Sequence, residues 1–312
     1  MVANPRRTFD EFEQLAECPL CAHGTFEPVW QRHMRGVPLT FVQCARCRLV
    51  MQNPRMTRAA LHRYFNSDNF INDSKTHDSN FDELLGYYDY STWEQSYRKS
   101  AGYRLDQIMK LKKPPSNLLE IGPATGFFLE EARDRGFVVR GLDVSSRFAD
   151  IARTKGLQID EGFVETYSLT GDAYDIICSF GAITCWYDPV AGLNNVRQAL
   201  KPGGYFVFNH MDRDNFWYRI QGGRNWDYQH PCLFLWSQET MHACLQKAGF
   251  EIVSSGKDVQ IVSLARLFEY LRLPSLRRLT YAMNANELSL SVRIPFTRFV
   301  ICRPASASPE SP

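Results

Sequence analysis

The sequence predicts an α/β protein whose core is a doubly wound, mostly parallel sheet of seven strands. Three observations predict it. Apolar runs of strand length alternate with amphipathic helical segments from residue 117 onward. The first of these runs ends in LLEIGPATG, residues 118–126, where two glycines bracket the turn into a helix. Two Cys-x-x-Cys pairs near the N-terminus precede the alternation and indicate a separate small module.

Length and composition bound the possibilities. A chain of 312 residues can hold one large domain or two modest ones. The net charge of +2 at pH 7 gives no electrostatic argument for a nucleic-acid or membrane partner, and we expect neither. The first residues have no apolar core of signal-peptide length, and no apolar run is long enough to span a bilayer, so we expect a cytoplasmic protein. Residues 304–312 are predicted to be a disordered tail.

Four of the nine cysteines form the two N-terminal pairs, Cys18-Pro-Leu-Cys21 and Cys44-Ala-Arg-Cys47. Two such pairs, each in a tight turn called a knuckle, can place four thiolates tetrahedrally around Zn²⁺. The lack of a secretion signal argues against disulfides. We therefore predict a zinc ribbon over residues 1–52, with strands in TFEPVW and LTFVQC. Free or redox-active thiols are the alternative. Because four thiolates leave no open coordination position, the metal would stabilise the fold and would not catalyse.

Residues 53–113 are predicted to form a helical linker or cap. Two segments have helical character, MTRAALHRYF at 56–65 and the longer stretch at 81–113, which ends before two prolines. The longer stretch is rich in tyrosine: Tyr87, Tyr88, Tyr90, Tyr97 and Tyr103. We expect most of these rings to pack against the sheet, although one or two could line a ligand pocket.

The main domain, residues 114–303, consists of strands alternating with helices. The predicted strands are NLLEIG, FVVRGLDVS, LQIDEG, YDIICSF, GYFVFNH, EIVSSGKD and FTRFVICRP. The predicted helices are FFLEEARDRG, SRFADIARTKG, the helix and turn DPVAGLNNVRQALKPGG, and SQETMHACLQKAGF. A basic, amphipathic helical insertion at about 262–292 separates the last two strands. Such alternation gives a parallel sheet with helices on both faces, and ligands bind beyond the carboxyl ends of its strands.

The glycine-bracketed turn lies at the first of these carboxyl ends. Gly122 and Gly126 allow the backbone to approach a ligand closely, and the following helix offers free N–H groups. The spacing matches neither the dinucleotide-binding turn nor the triphosphate-binding loop. Asp143, at the end of the second strand, is the acid expected to accept hydrogen bonds from two ribose hydroxyls. A nucleoside without a pyrophosphate indicates S-adenosylmethionine.

Four motifs in order, LLEIGPATG, GLDVS, YDIICSF and QALKPGGYFVF, resemble those of the class I S-adenosylmethionine-dependent methyltransferases over roughly residues 85–303. With the cysteine pairs, the whole chain resembles bacterial zinc-ribbon methyltransferases that modify small molecules, sugars or natural products. The resemblance implies a Rossmann-like domain that holds the methionine end of the cofactor along Glu120, Gly122 and Gly126 and its ribose at Asp143. The full implied cofactor-binding set is Glu120, Gly122, Pro123, Ala124, Gly126, Asp143, Val144, Phe163, Val164 and Phe180.

The sequence departs from that family at three places. Gly162-Phe163 stands where a Gly-Asp pair often meets the adenine, so Phe163 could stack on the purine while the usual carboxylate is missing. Thr184-Cys185 stands where many relatives carry Glu-His, so a ready histidine base is absent there. In QHPCLFLWS, Cys232 occupies the usual histidine position and His230 comes two residues earlier. The last two changes predict an unusual acceptor pocket.

Methyl transfer from a sulfonium is an in-line displacement, and a hydroxyl or amine acceptor also loses a proton, which a base can take. The candidate bases are His230, in an aromatic loop, and His210, at the end of the strand GYFVFNH. Either could instead be a hydrogen-bonded structural residue, and an acidic acceptor would need no base. The dense aromatic residues at 216–236 could form a mobile lid over an apolar or ring-shaped acceptor.

These observations predict an enzyme that methylates a small-molecule acceptor in secondary-metabolite or sugar biosynthesis. Oxygen is the favoured accepting atom, with nitrogen and carbon as alternatives. SFGA replaces the Asn-Pro-Pro-aromatic stretch typical of exocyclic amino-group methylation, which favours oxygen or carbon over nucleobase nitrogen. One alternative is an RNA-base methyltransferase, which gains support from a group of basic residues: Arg32, His33, Arg35, Arg46 and Arg48. The other alternative is a non-catalytic module that binds the cofactor but has lost its base. The sequence does not indicate an oligomeric state.

Overall fold

The computed structural model describes residues 11–34, 37–67, 94–221, 231–270, 273–283 and 288–306. Its strands, in chain order, are β1 (Phe12–Glu13), β2 (Phe26–Met34), β3 (Val37–Cys44), β4 (Val50–Gln52), β5 (Arg55–Met56), β6 (Asn117–Ile121), β7 (Val138–Asp143), β8 (Ile159–Glu161), β9 (Tyr174–Ser179), β10 (Leu200–Met211), β11 (Phe234–Leu235), β12 (Phe250–Ser263) and β13 (Ser289–Pro304). In this part of the chain, no helix combines the length and the apolar character needed to cross a bilayer.

The helices are α1 (Arg58–Phe65), α2 (Glu94–Ile108), α3 (Phe127–Asp134), α4 (Ser146–Thr154), α5 (Pro189–Ala199), α6 (Phe216–Gln221), α7 (Gln238–Lys247), α8 (Leu264–Tyr270) and α9 (Pro274–Ala282). Four of the helices, α1, α4, α5 and α7, begin after side chains that cap them. The side chains of Thr57, Ser145 and Asp188 each accept a hydrogen bond from a first-turn N–H group of the helix that follows. Ser237 and Thr240 cap α7 reciprocally, which fixes its first turn.

Seven strands form the main sheet in the order β12-β13-β10-β9-β6-β7-β8. The pairs from β10 to β8 are parallel, and β13 runs antiparallel to both of its neighbours. The predicted α/β class and the doubly wound, Rossmann-like, mostly parallel sheet are therefore confirmed. The strand order changes direction between β6 and β9, and the crevice at such a switch point is where ligands bind in this architecture.

The central strands are buried on both faces, because helices cover both sides of the sheet. Leu118, Leu119 and Ile121 of β6 are all buried, and so are Ile176 and Ile177 of β9. This explains why these strands are continuous apolar runs in the sequence rather than alternating ones. The sheet is thus a rigid platform for the turns at its carboxyl edge.

The predicted helical insertion, at about 262–292, contains less helix than expected. The helices α8 and α9 fill its middle, but β12 continues to Ser263 and pairs there with Ser289–Arg293 of β13. The alternation in LSLSV, residues 288–292, has the two-residue period of a strand, which explains the difference. At the other predicted boundary, Pro304 still belongs to β13, and the Ala305 N–H donates to Gly249 O at 2.8 Å. The ordered chain therefore extends into the predicted tail.

The N-terminal module, residues 11–56, shares a sheet and a core with the α/β unit. Its sheet has the order β11-β4-β3-β2, so the strand β11 comes from the α/β part of the chain. The Gln52 N–H donates to Leu233 O at 2.9 Å just before β11 begins. Lys247, at the end of α7, donates to Leu20 O at 2.7 Å inside the first cysteine knuckle. The module is thus joined to the rest of the structure by hydrogen bonds as well as apolar contact.

The predicted linker at 53–113 contains α1 and α2 among the described residues. Tyr97 on α2 stacks against Phe127 at the start of α3, with ring centroids 6.4 Å apart, so this contact joins two helices and is not one with the sheet. Tyr87, Tyr88 and Tyr90 lie outside the described residues.

Candidate functional site

The turn between β6 and α3 holds its backbone in left-handed conformations. The φ angles are 76° at Gly122, 48° at Ala124 and 85° at Gly126. A Cβ atom at Gly122 would lie 2.7 Å from the Ala182 Cβ atom, and one at Gly126 would lie 2.4 Å from Leu157 Cδ1. Both positions therefore require glycine. Gly126 also gives α3 no side-chain cap, so the first N–H groups of that helix are available to a ligand.

Asp143 ends β7 beside this turn, and its carboxylate is held by backbone donors. The Ala124 N–H donates to Oδ2 at 3.0 Å and the Ser145 N–H donates to Oδ1 at 2.8 Å. Burial raises the pKa of Asp143 to about 6, and the same backbone donors limit the rise. Each oxygen keeps capacity for a second hydrogen bond. This is a suitable arrangement for two ribose hydroxyls, although the ribose role stays a prediction.

Val144 and the segment Gly162–Val164 continue the same edge of the sheet. The Gly162 N–H donates to Asp143 O at 2.9 Å, which ties this segment to the end of β7. Val164 is buried, and its carbonyl accepts from Asn195 Nδ2 at 2.8 Å. The Phe163 ring is partly buried and faces α1, with the His62 ring centroid 6.2 Å away. The predicted adenine-binding residues thus lie against a helix from the N-terminal side of the chain.

Glu120 lies on β6 directly beneath the turn and is only 4% exposed. Its Oε2 atom is buried and has no hydrogen-bond partner in the structure. Burial raises the pKa of Glu120 well above its ordinary value, while the nearby Arg104 acts in the opposite direction and Asp143 adds to the rise. An unpartnered buried carboxyl group is costly, and it indicates a place for a cationic or hydrogen-donating ligand group.

Phe180, which follows β9, packs into an aromatic cluster. Its ring meets Phe128 edge-on at 5.0 Å and stacks on Phe299 at 6.2 Å. The Arg104 guanidinium lies 4.5 Å from the centre of the Phe180 ring. This packing fixes the start of the loop that faces Gly122.

A buried polar network holds the rest of that loop, and sequence reasoning missed it. Arg104 on α2 donates to Asp258 Oδ2 at 2.8 Å, and Asn209 Nδ2 donates to the same oxygen at 2.8 Å. Asn209 Oδ1 in turn accepts the Gly181 N–H at 2.7 Å. One signal could have found Asn209, because it is a polar residue at the carboxyl end of a buried strand, as Asp143 is. Nothing local in the sequence marks Asp258 as its partner.

The structure describes one of the two predicted bases. His210 is buried at the end of β10, with Nδ1 3.0 Å from Met211 O. Because a carbonyl oxygen only accepts, this contact assigns the proton to Nδ1 and leaves a lone pair on Nε2. Burial lowers the pKa of His210 to about 4, so the ring is neutral at pH 7. His230 lies outside the described residues.

The aromatic stretch predicted as a lid is divided in the structure. Phe234 and Trp236 are fully buried core residues, whereas Phe216 on α6 is 68% exposed. Residues 222–230, with Trp226 and Tyr228, lie outside the described residues. The Leu233 N–H donates to Thr184 O at 2.9 Å, so this stretch is attached to the loop after β9, where the sequence predicts the acceptor pocket.

The four N-terminal cysteines converge. The Sγ atoms of Cys18, Cys21, Cys44 and Cys47 all lie within 4.8 Å of one another, and this set is called the cysteine cluster below. Two of the separations, Cys18–Cys47 and Cys21–Cys44, are 3.5 Å. Tetrahedral ligation with bonds of about 2.3 Å requires sulfur–sulfur distances of about 3.8 Å, so the donor set fits Zn²⁺. The other five cysteines are buried singly elsewhere in the fold.

The two knuckles of the cysteine cluster have the same backbone pattern. The Ala22 N–H donates to Cys18 O at 2.8 Å, and the Arg48 N–H donates to Cys44 O at 3.0 Å. Ala22 and Arg48 both have positive φ angles, of 56° and 63°. The repeated turn aims each cysteine pair at a common point, which is the geometry expected of a closed metal site.

Sequence and structure comparisons identify what this chain resembles. The profile of a methyltransferase domain family matches residues 93–255, slightly more than half of the chain. The uncharacterized methyltransferase YdaC of Bacillus subtilis (strain 168) is 31% identical over 104 residues, which are 31% of this chain and 58% of YdaC. A ubiquinone biosynthesis O-methyltransferase of Cereibacter sphaeroides (strain ATCC 17025 / ATH 2.4.3) is 31% identical over 103 residues, which are 31% of this chain and 42% of that protein. The chain therefore spans only about half the length of these relatives.

A solved structure agrees in fold. A chain from the Haloferax volcanii complex between the Trm112 methyltransferase activator and a methyltransferase superposes with a TM-score of 0.50 at 15% identity. The match covers 70% of this chain and 97% of the other. At this identity the likeness concerns the fold alone.

Proposed function

Because the chain belongs to the class I S-adenosylmethionine-dependent methyltransferases, we propose that it transfers the methyl group of this cofactor to an oxygen atom of a small-molecule acceptor. The family supports the donor and the reaction class. The oxygen acceptor, a cytoplasmic location and a role in secondary-metabolite or sugar biosynthesis are the finer parts of the proposal. The ubiquinone O-methyltransferase relative supports oxygen as the accepting atom.

The observation that carries the donor site is the unpartnered Glu120 carboxyl group beneath the left-handed turn. A ligand ammonium group there would satisfy Oε2 and recover the cost of its burial. One strand away, Asp143 has the remaining acceptor capacity for two hydroxyls. The two carboxyl groups together suit a ligand with a cationic amino group at one end and a ribose at the other. When bound, S-adenosylmethionine would supply an electrophilic methyl group on its sulfonium.

His210 is the described residue that can accept a proton from the acceptor. Its Nε2 lone pair is available at pH 7, but a pKa of about 4 makes it a weak base. Such a base works best with an acceptor whose hydroxyl is itself acidic, such as a phenol or a carboxylic acid. An aliphatic alcohol would need a stronger base than His210 provides.

For the cysteine cluster we propose structural Zn²⁺. The four thiolates would complete the coordination shell and leave no position for substrate. The role of the metal would then be to hold the N-terminal module in the shape that pairs β4 with β11.

Calorimetric titration with S-adenosylhomocysteine tests the donor site. We expect the wild-type protein to bind it, and Asp143→Ala to weaken binding by about 1–3 kcal/mol, the scale of lost buried hydrogen bonds. Asp160→Ala is the matched control, since that carboxylate lies on the neighbouring strand and pairs with Arg140. No heat of binding to the wild-type protein would overturn the proposal.

Labelled cofactor and fractionated metabolite pools test the acceptor. We expect label in a small molecule that carries an acidic hydroxyl, with release of S-adenosylhomocysteine. Label in RNA, lost as salt concentration rises, would replace this proposal with the RNA-base alternative. Cofactor binding without turnover on any fraction would favour the non-catalytic module, which the absence of a histidine at 184–185 also supports.

A further inference from the structure

Asn66 ends α1 and lies against the turn that follows β7. It is outside the matched methyltransferase domain of residues 93–255 and belongs to the N-terminal side of the chain. Its side-chain amide nevertheless makes three contacts with the segment Val144–Ser146. That segment immediately follows Asp143, the predicted ribose ligand.

The Asn66 amide is fully hydrogen-bonded. Oδ1 accepts from the Ser146 N–H and from the Ser146 hydroxyl, each at 2.8 Å. Nδ2 donates to Val144 O at 3.2 Å and to His62 O at 2.9 Å. An amide offers two donors and two acceptor lone pairs, so all its capacity is used. The partners also settle its orientation, because a backbone N–H can meet only the oxygen and a carbonyl can meet only the nitrogen.

These bonds supply what the turn cannot supply by itself. The N-cap residue of α4, Ser145, satisfies the Phe148 N–H and leaves the Ser146 N–H at the exposed start of the helix. Asn66 provides the acceptor for that N–H from another segment of the chain. It also binds the carbonyl of Val144, so the turn is held on both sides of Ser145.

The position of Asp143 depends on the same turn. Its Oδ1 atom accepts from the Ser145 N–H, which lies between the two residues that Asn66 holds. A displaced turn would therefore rotate or free the carboxylate. We propose that Asn66 is a positioning residue for the adenosine half of the cofactor, which it serves by fixing the turn at Val144–Ser146. This inference rests on the proposed function.

The helix that ends at Asn66 is itself anchored at its start, and this anchoring fixes the position of Asn66. Thr57 caps α1, and Arg55 just before it donates to Tyr187 O at 2.7 Å. The Arg58 guanidinium lies 4.7 Å from the centre of the Tyr187 ring. The helix α1 is therefore anchored at its start, next to the N-terminal module, and it places Asn66 against the carboxyl edge of the sheet.

The test compares two ligands and three variants by calorimetry. The ligands are S-adenosylhomocysteine and 5′-methylthioadenosine, which share the adenosine half and differ in the amino-acid end. Asn66→Ala removes every side-chain bond. Asn66→Asp keeps acceptors for the Ser146 N–H and hydroxyl, and places a negative charge at the N-terminus of α4, where it is favourable. Arg63→Ala is the control on the same helix, because Arg63 is exposed and pairs only with Glu11 among the contacts described.

We expect Asn66→Ala to raise the Kd of both ligands at least tenfold by roughly the same factor, the effect of losing several partly buried hydrogen bonds. Asn66→Asp should raise both Kd values less, and Arg63→Ala should leave them unchanged. In turnover assays, Asn66→Ala should raise the KM for S-adenosylmethionine while kcat at saturation is retained. This split separates positioning of the cofactor from a general loss of structure.

Unchanged Kd values in Asn66→Ala would overturn the inference. A loss confined to S-adenosylhomocysteine would also overturn it, because the effect would then lie at the amino-acid end. If Asn66→Ala does not fold, Asn66→Asp decides: it loses the donor to Val144 O, so a Kd equal to that of the wild type would overturn the inference that Asn66 must hold the turn on both sides of Ser145. A wild-type protein that binds neither ligand would instead remove the proposed function.

Discussion

The carboxyl edge of the main sheet has two halves that are built differently. The predicted cofactor half, residues 122–126, 143–146 and 162–164, is held mostly by bonds between residues close in sequence or on adjacent strands, such as Ser145 N–H to Asp143. The predicted acceptor half, residues 181–187, 209–212 and 233–236, is held by bonds between distant segments. Leu233 bonds to Thr184 and to Gln52, and Asn209 joins Gly181 to Asp258.

This difference has a consequence for substitutions. A cofactor half made from a short motif keeps its shape when distant residues are substituted, because few residues outside the motif hold it. An acceptor half made from long-range contacts, including a strand of the N-terminal module, can be reshaped by changes far from the chemistry. We infer that the N-terminal module affects the acceptor half more than the cofactor half, and that it reaches the latter through α1, the helix that follows it and ends at Asn66.

The largest expected effect comes from removing one ligand of the cysteine cluster. Cys44→Ser should abolish metal retention and unfold the N-terminal module, since β3 ends at Cys44 and β11 loses its partner β4. Turnover should be lost completely. The Kd for S-adenosylhomocysteine should rise no further than in Asn66→Ala. Metal content, limited proteolysis and calorimetry measure these three effects.

Cys244→Ser is the matched control for this prediction. Cys244 is a fully buried thiol on α7 outside the cysteine cluster, so its replacement should cost some stability but leave metal content unchanged. Retained metal and turnover in Cys44→Ser would contradict the structural role of the cluster. If Cys44→Ser loses its affinity for S-adenosylhomocysteine together with its turnover, the separation of the two halves is contradicted.

A smaller effect distinguishes two glycines, one in each half. Gly126 and Gly181 have similar φ angles, 85° and 74°, but a Cβ atom at Gly126 would overlap Leu157 whereas one at Gly181 has no neighbour within 4 Å. Gly126→Ala should therefore lower the free energy of unfolding by about 2–4 kcal/mol, from left-handed strain plus overlap. Gly181→Ala should cost only the strain, about 1–2 kcal/mol. Urea unfolding measures both, and equal losses would show that the cofactor turn is looser than the structure indicates.

The two halves also differ in how far the sequence predicts them. Gly122, Gly126 and Asp143 were predictable because turn chemistry and strand ends are local features. The sheet was predictable for the same reason, since its central strands are short apolar runs that alternate along the chain with amphipathic helical segments. The network of Arg104, Asp258 and Asn209 was not, because the three residues are distant in sequence and meet only after the sheet has formed.

The predicted bases show the same limit. His210 was found as a polar residue at a strand end, but its low pKa follows from burial that the sequence does not reveal. Asn66 was missed because it caps α1 in an ordinary way, and its second role appears only when Val144 and Ser146 lie beside it. Local chemistry thus predicts which residues lie at the carboxyl edge of the sheet, and long-range packing decides how they are held there.

The smallest expected effect is a pH dependence that belongs to the cofactor half. In the proposed ribose assignment the hydroxyls donate to the ionised form of Asp143, whose pKa is about 6, so affinity for 5′-methylthioadenosine should be constant above pH 7 and fall as the pH drops below 6. At pH 5 only about a tenth of the carboxyl groups would be ionised, which corresponds to an affinity loss of about tenfold. This ligand lacks the amino-acid end, so the titration of Glu120 should not enter. Asp143→Asn should remove the pH dependence of this affinity.

Stability would be a poorer readout of Asp143 than ligand affinity. Its folded pKa of about 6 lies above the ordinary 3.8, so the free energy of unfolding falls as the pH rises from about 4 to 6. His210 contributes the opposite slope over much of the same range, because its folded pKa of about 4 lies below the ordinary 6.5 and stability is lost as the pH falls. The two contributions have opposite signs, and Glu120, whose pKa is also raised by burial, adds a third, so an unfolding curve does not isolate Asp143. Of these three groups, only Asp143 is expected to contact the nucleoside. A binding curve that stays flat from pH 7.5 to 5 in the wild-type protein would therefore contradict the ribose assignment directly.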